Sequence, residues 1–115
     1  MIISDDKKIQ AVQAEFNEKF PGLKLEFYTE KHDAGEGSLA KTKIDSDKTI
    51  GGIRTIHTEG DLSINGNQKV STLEENFLNH YGLNVQVFRR SGSLWLQTTS
   101  TDDWTLAEQN KRGTA

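Results

Sequence analysis

Residues 70–88 read VSTLEENFLNHYGLNVQVF, and the spacing of their apolar residues changes at Gly82. Before the glycine, apolar residues are spaced by four, as on the buried face of a helix: Leu73, Phe77 and Tyr81. After it they alternate with polar residues, as in a half-buried strand: Leu83, Val85 and Val87. The stretch therefore predicts a helix that ends at Gly82 and runs directly into a strand.

The same order of helix, glycine and strand occurs in residues 9–28. Sliding one stretch onto the other, with one residue of slip at Pro21, pairs apolar residues with apolar residues and glycine with glycine. The pairs are Ile9 with Val70, Val12 with Leu73, Phe16 with Phe77, Phe20 with Tyr81, Gly22 with Gly82, Leu23 with Leu83, Leu25 with Val85, Phe27 with Val87 and Tyr28 with Phe88. A duplicated unit would produce this match. Chance would also produce it, because any amphipathic helix followed by a glycine and a strand has this pattern.

Local signals predict the remaining elements. Apolar spacing indicates a first helix from Ser4 to Phe20, which Pro21 ends. Strands are expected at residues 23–29, 62–64, 83–88 and 94–99. In a capping box, a Ser or Thr and a Glu three residues later satisfy each other's backbone donors. This spacing occurs at Ser71 and Glu74, at Thr72 and Glu75, and at Thr105 and Glu108, where a short C-terminal helix to Gly113 would begin.

Together these elements predict an α+β fold. Two helix-strand-strand units would form a mostly antiparallel four-stranded sheet with the helices on one face, a two-layer sandwich with an added short C-terminal helix. The 115 residues suffice for a single domain, residues 1–115. Residues 31–49 are rich in glycine and charge, so we expect a flexible loop there.

Composition excludes several function classes. The net charge of −3 repels phosphate backbones and disfavours nucleic acid as a partner. The chain has no cysteine, which excludes disulfides, thiolate catalysis and cysteine metal sites. No apolar run is long enough to span a membrane. Residues 1–6 have neither the basic flank nor the apolar run of a signal peptide, so we expect a cytoplasmic location.

The C-terminal half carries a distinctive series of residues: GLNVQVFRRSG at 82–92, LWL at 94–96 and TDDWTL at 101–106. In these residues the chain resembles a family of small bacterial proteins of unknown function. The resemblance extends over roughly the whole chain and is best in residues 60–110. It implies no activity, cofactor or site residue.

Strand alternation gives the predicted sheet an outer face with three aromatic residues: Tyr28, Phe88 and Trp95. Rigid rings among amides and charges are what a partner-binding surface needs. The long loop or residues 104–112 could instead fold over these rings. Arg89 and Arg90, at the end of the hairpin, could bind an anion or an acidic partner, or form a solvated turn.

Signals for catalysis or metal binding are few. The histidines His32, His57 and His80 lack the spacing of a zinc-binding helix, so we expect no metal or cofactor. His32 lies close to two carboxylates in sequence, an acid–base cluster, but it falls within the expected loop.

The leading hypothesis is a small, non-enzymatic module for protein binding or self-assembly. It would use the aromatic face or an exposed strand edge to recognise a protein partner or a second copy of itself. One alternative is a small-ligand site between that face and residues 31–58. The other is a minor enzymatic activity centred on His32 or His57.

Overall fold

Three helices and five strands make up the fold in a computed structural model that describes residues 1–29 and 35–115. The elements are β1 (Ile2–Ile3), α1 (Ile9–Lys19), β2 (Leu23–Tyr28), β3 (Gly60–Asp61), α2 (Val70–Tyr81), β4 (Asn84–Ser91), β5 (Leu94–Gln97) and α3 (Leu106–Gly113). Short 3-10 turns lie at Ala40–Thr42 and Gly51–Ile53. The α+β class predicted from the sequence is confirmed.

The strands form two antiparallel sheets, so the prediction of one four-stranded sheet is not confirmed. One sheet has three strands in the order β2-β4-β5, and the other consists of β1 and β3. The strand expected at residues 62–64 is instead the short β3, which pairs with the first residues of the chain. Leu62 continues this pairing, since its N–H donates to the carbonyl of Met1 at 2.8 Å.

The observed ends of the helices agree with the sequence prediction better than their starts do. Gly82 has the left-handed φ of +65° that ends α2, as predicted. The Thr105 hydroxyl accepts from the N–H of Glu108 at 3.2 Å, so this capping interaction is confirmed. The capping boxes expected at Ser71 and Thr72 are wrong, because α2 begins at Val70 and has no side-chain cap. Likewise α1 begins at Ile9 rather than at Ser4.

The start of α1 is tied to a turn forty residues later in the chain. The N–H of Ile9 donates to the carbonyl of Lys48 at 2.9 Å, and the N–H of Ile50 donates to the carbonyl of Lys7 at 2.8 Å. The two bonds are reciprocal. The N–H of each isoleucine donates to the carbonyl that lies two residues before the other isoleucine. Ile9 and Ile50 are both fully buried.

The same reciprocal pattern recurs in the second half of the chain. The N–H of Val70 donates to the carbonyl of Trp104 at 3.0 Å, and the N–H of Leu106 donates to the carbonyl of Gln68 at 2.8 Å. Val70 and Leu106 are also fully buried. The chain therefore contains two units whose helix starts are held by the same arrangement of backbone bonds. We call residues 1–57 the first repeat and residues 62–115 the second repeat.

The repeats meet across the central ladder between β2 and β4. Leu25 lies opposite Val87, and Phe27 lies opposite Val85. Since Leu25 corresponds to Val85 and Phe27 to Val87, an approximate two-fold axis passes between Glu26 and its opposite residue. The helices α1 and α2 pack on β2 and β4, and α3 contacts both strands.

The segment expected to be a flexible loop falls partly outside the described residues, which omit 30–34. After this gap the chain returns to the free side of β2. The N–H of Thr29 donates to the carbonyl of Thr42 at 2.9 Å, and the N–H of Ile44 donates to the carbonyl of Phe27 at 2.8 Å. The second bond is the counterpart of the bond from Thr98 to Val87 at 3.2 Å. Residues 42–44 therefore occupy, in the first repeat, the place that residues 96–98 occupy in the second.

The core lies between the sheets and the helices. Its residues with no exposed surface are Ile3, Ile9, Val12, Phe16, Leu23, Leu25, Phe27, Ile50, Val70, Leu73, Phe77, Val87 and Leu106. The rings of Phe27 and Phe77 meet edge to face, with centroids 6.1 Å apart. This contact joins β2 of the first repeat to α2 of the second.

Candidate binding surface at the sheet edge

The outer face of the three-stranded sheet carries the three predicted aromatic residues in two environments. Phe88 and Trp95 are half-buried, and the Lys24 ammonium lies 5.3 and 5.1 Å from their ring centroids. Tyr28, by contrast, is only 3% exposed. Burial, together with the nearby Glu26 carboxylate, raises the pKa of the Tyr28 phenol to about 12. The accessible aromatic surface is therefore limited to Phe88 and Trp95.

Residues that follow the gap occupy the other part of this face. The Ser38 N–H donates to Gln97 Oε1 at 2.9 Å, and Gln97 Nε2 donates back to the Ser38 carbonyl at 2.9 Å. The Ser38 hydroxyl is 3.3 Å from Oε1 of Gln86, which is 1% exposed. The sequence left open whether another segment covers the rings. Tyr28 is covered, whereas Phe88 and Trp95 are only half-buried.

Strand β5 is the edge of the sheet. Its pairing with β4 begins at Leu94 opposite Ser91. The Thr98 N–H donates to β4, and this bond shows which residues of β5 direct their backbone N–H and C=O groups toward β4. By this alternation, the N–H and C=O groups of Trp95 and Gln97 point away from β4. Among residues 1–29 and 35–115, no strand pairs with that side of β5.

The leucines of β5 are unusually exposed. Leu94 is 64% exposed and Leu96 is 43% exposed, although strand alternation places both on the helix side of the sheet. The helices make their main contacts with β2 and β4. The edge therefore combines free backbone groups with apolar side chains.

A cavity of about 300 Å³ lies beside the hairpin that joins β4 to β5. It is lined by Arg89, Arg90, Ser91, Gly92, Trp104, Arg112 and Ala115. The guanidinium carbons of Arg89 and Arg112 lie 5.6 and 5.5 Å from the centroid of the same ring, that of Trp104. We call this group of residues the arginine pocket.

Arg89 is held in place from α3. Its Nη1 donates to Oε1 of Gln109 at 2.9 Å, and Gln109 is fully buried. The Gln109 amide is fixed in turn, because its Nε2 donates to the carbonyl and the hydroxyl of Thr101, both at 2.7 Å. Such a chain of neutral hydrogen bonds orients a guanidinium and leaves its charge uncompensated.

Charge in the arginine pocket is unbalanced. Arg112 makes a long, exposed contact of 3.4 Å with Glu108. The Arg90 side chain donates to the carbonyl of Gly92, at 3.2 Å. Within the described part of the chain, neither Arg89 nor Arg90 forms an ion pair, and no Asp or Glu side chain lines the cavity. The sequence analysis singled out Arg89 and Arg90 but missed Trp104 and Arg112, which only the packing of α3 brings to them.

His57, one of the two alternative centres considered for an enzymatic activity, lies in a separate polar cluster. The other, His32, falls outside the described residues. His57 Nδ1 is 2.9 Å from Oδ2 of Asp5, and Oδ1 of the same carboxylate accepts from Arg54. Hydrogen bonds from Arg54 and then from His57 hold the pKa of the Asp5 carboxyl below its usual value. No Ser, Thr or Tyr hydroxyl hydrogen-bonds to His57 in residues 1–29 and 35–115, so the cluster has an acid–base pair without a nucleophile.

A larger cavity, of about 640 Å³, occupies the corresponding place in the first repeat. Its lining includes Thr29 and Lys48, the counterparts of Arg89 and Trp104. It is further lined by Ile44, Gly52, Ile53, Arg54, Thr55, Gly82 and Asn84. Most of these residues belong to the 31–58 segment, which is where a small-ligand site was considered.

Comparisons of the chain with protein-family models, with curated proteins and with solved structures give no match. The resemblance to a bacterial family therefore stays a prediction. None of the helices in the described ranges is long and apolar enough to cross a membrane. Among the same residues, no group of three His, Asp or Glu side chains is placed to hold a metal ion.

Proposed function

We propose that the chain is a protein-binding module that takes an extended, acidic segment of a partner along the free edge of β5. The observation that supports this most is the edge itself. Folded proteins usually protect a sheet edge with proline, charged side chains, a bulge or a covering segment. Residues 94–97, Leu-Trp-Leu-Gln, contain neither proline nor charge.

Strand addition would use the groups that β5 leaves free. The backbone N–H and C=O groups of Trp95 and Gln97 would bond to the added strand, as in other cases of recognition by β-augmentation. The added strand would also cover Leu94 and Leu96 on one face and Trp95 on the other. Their exposed apolar surface supplies affinity beyond the backbone bonds.

Charge favours an acidic segment over a neutral one. Arg89 and Arg90 lie on β4 directly beside β5 and lack carboxylate partners among the described residues. The chain as a whole carries a net charge of −3, so this local positive region is a departure from its surroundings. Complementary charge speeds association and selects among partners. The proposal assumes the cytoplasmic location expected from the sequence.

Amide hydrogen exchange tests the proposal residue by residue. Strand-forming peptides would first be selected from a random library displayed on phage, with the full chain as bait. We expect the selected peptides to alternate apolar residues with Asp or Glu, and to slow exchange at the Trp95 and Gln97 amides. The Leu94 and Leu96 amides already face β4 and provide an internal control. Slowed exchange elsewhere, or no selected peptide, would overturn the proposal.

A matched pair of variants isolates the backbone contribution. Trp95→Pro and Trp95→Ala both lose the indole, but only proline also loses the outward N–H. We expect Trp95→Pro to bind the selected peptides at least tenfold more weakly than Trp95→Ala. A second copy of the chain is the other possible occupant of the edge. Self-association would give a mass in light scattering that rises with concentration, in Trp95→Ala as in wild type but not in Trp95→Pro. This result would overturn the acidic partner in favour of a second copy of the chain.

The cavity of about 640 Å³ favours a second candidate, a small polar ligand. Its size is within the range of small-molecule sites. Donors from Thr29, Lys48 and Asn84 line it, and no carboxylate does among the described residues. A ligand found by a fragment screen should bind more weakly to Lys48→Met and equally well to Trp95→Pro.

A further inference from the structure

The arginine pocket brings two guanidinium groups to one aromatic ring. Arg89, Arg90 and Arg112 line a cavity of about 300 Å³, and within the described residues only Arg112 has a carboxylate contact, at 3.4 Å. An exposed pair of that length contributes little, and the guanidinium of Arg89 donates to a neutral amide. The guanidiniums of Arg89 and Arg112 share the Trp104 ring, which keeps like charges close together.

A phosphoryl group matches this arrangement better than a carboxylate does. On an esterified residue it carries about −1.5 to −2 charges at neutral pH and three acceptor oxygens. Guanidinium forks bind such oxygens with paired hydrogen bonds, and Arg89 is already oriented by Gln109 for this purpose. A single carboxylate offers two acceptor oxygens and one charge to the two guanidiniums that share the Trp104 ring.

We propose that the arginine pocket binds a dianionic phosphoryl group carried by the segment that adds to β5. The inference rests on the proposed function, because the segment supplies the residue that bears the phosphate. The position of the cavity supports this source. Ser91, the last residue of β4, and Gly92, in the turn that leads into β5, both line it. A strand running along β5 past Leu94 therefore reaches the pocket.

The first experiment uses inorganic phosphate and the full chain, followed by the indole N–H signal of Trp104 in NMR spectra. At constant ionic strength, phosphate should shift this signal saturably, and acetate should bind at least tenfold more weakly. Arg89→Gln should weaken phosphate binding at least tenfold. Lys111→Gln is the matched control. Like Arg89→Gln it removes one positive charge, but from a residue of α3 that does not line the cavity. Equal binding by wild type and Arg89→Gln means an adventitious ion only, and overturns the inference.

The second experiment identifies the source of the phosphoryl group. Peptides that protect the Trp95 and Gln97 amides are prepared in two forms, with serine or phosphoserine at one position. This is the peptide position that lies just past the residue opposite Leu94, toward the turn between β4 and β5. We expect phosphoserine to strengthen binding at least tenfold in wild type, and not in Arg89→Gln. If both forms protect the edge equally, the inference fails and the proposed function stands. If phosphate binds but no peptide protects the edge, the proposed function fails and the ligand is a free phosphorylated compound, which overturns the segment as its source.

Discussion

Asp5 and Arg54 are joined by two hydrogen bonds to one oxygen, from Nε at 3.1 Å and from Nη2 at 2.8 Å, both to Oδ1 of the carboxylate. The Arg54 side chain is fully buried, and its Nη1 donates to the carbonyl of Tyr81 at 2.9 Å. Tyr81 is the last residue of α2. One guanidinium therefore links the start of the first repeat to a helix of the second.

Acid should weaken this link. The Arg54 guanidinium, and then His57, lower the folded-state pKa of the Asp5 carboxyl below its value in the unfolded chain. A lowered pKa stabilises the fold above the unfolded value, about 4, and the contribution is lost as pH falls through the folded value. We therefore expect the difference in unfolding free energy between wild type and Asp5→Asn to be full at pH 7 and to shrink below about pH 4.

Urea denaturation at a series of pH values measures this difference. Asp6→Asn is the control, because the neighbouring carboxylate is exposed and, within the described residues, accepts from the Ser4 hydroxyl at 2.8 Å and from no cation. Its effect on stability should be small at every pH. A pH-independent loss in Asp5→Asn would show that the salt bridge does not carry the acid dependence.

The two buried phenylalanines of the helices should be equally important. Phe16 and Phe77 occupy corresponding positions in the repeats, and neither has exposed surface. Truncation to alanine removes buried apolar area and leaves a cavity, so each variant should lose about 3–5 kcal/mol of unfolding free energy. Chemical denaturation measures the loss. A loss below about 1 kcal/mol in either variant would contradict the observed packing.

Periodicity was sufficient to predict the elements that depend on neighbouring residues. The four-residue spacing before Gly82 and the alternation after it correspond to α2 and β4. The match between residues 9–28 and 70–88 is explained by two repeats with the same backbone bonds. A strand of two residues, such as β1, is too short to show a period, and the sequence analysis missed it.

Helix starts could not be predicted because distant groups replace the local caps. The N–H groups of Ile9 and Gln10 donate to carbonyls of Lys48 and Ser46, so α1 needs no cap from its own acidic residues. The arginine pocket depends in the same way on the position of α3. No local pattern places Trp104 and Arg112 beside Arg89.

Glu74 was expected to cap α2 and instead reaches into the core. Its Oε2 accepts from the backbone N–H of Val87 at 3.0 Å, and the residue is 8% exposed. Glu74→Leu would leave that N–H without its acceptor, at a cost of about 1–3 kcal/mol. Glu74→Gln keeps an acceptor oxygen and should lose less. Thermal unfolding of the two variants compares them, and equal losses would show that the bond to Val87 is not what stabilises the fold here.

Folding and binding should separate on the outer face of the sheet. Tyr28 is 3% exposed, so Tyr28→Ala should cost about 3 kcal/mol, close to other buried aromatic truncations. Trp95 is half-buried and contacts the flexible Lys24 side chain, so Trp95→Ala should cost about 1 kcal/mol. Since the proposed segment covers Trp95 and not Tyr28, only the tryptophan variant should lose affinity for edge-binding peptides while remaining folded. Denaturation and peptide titration of both variants test this. A Trp95→Ala loss of stability as large as that of Tyr28→Ala would mean that the ring supports the fold and is not available to a partner.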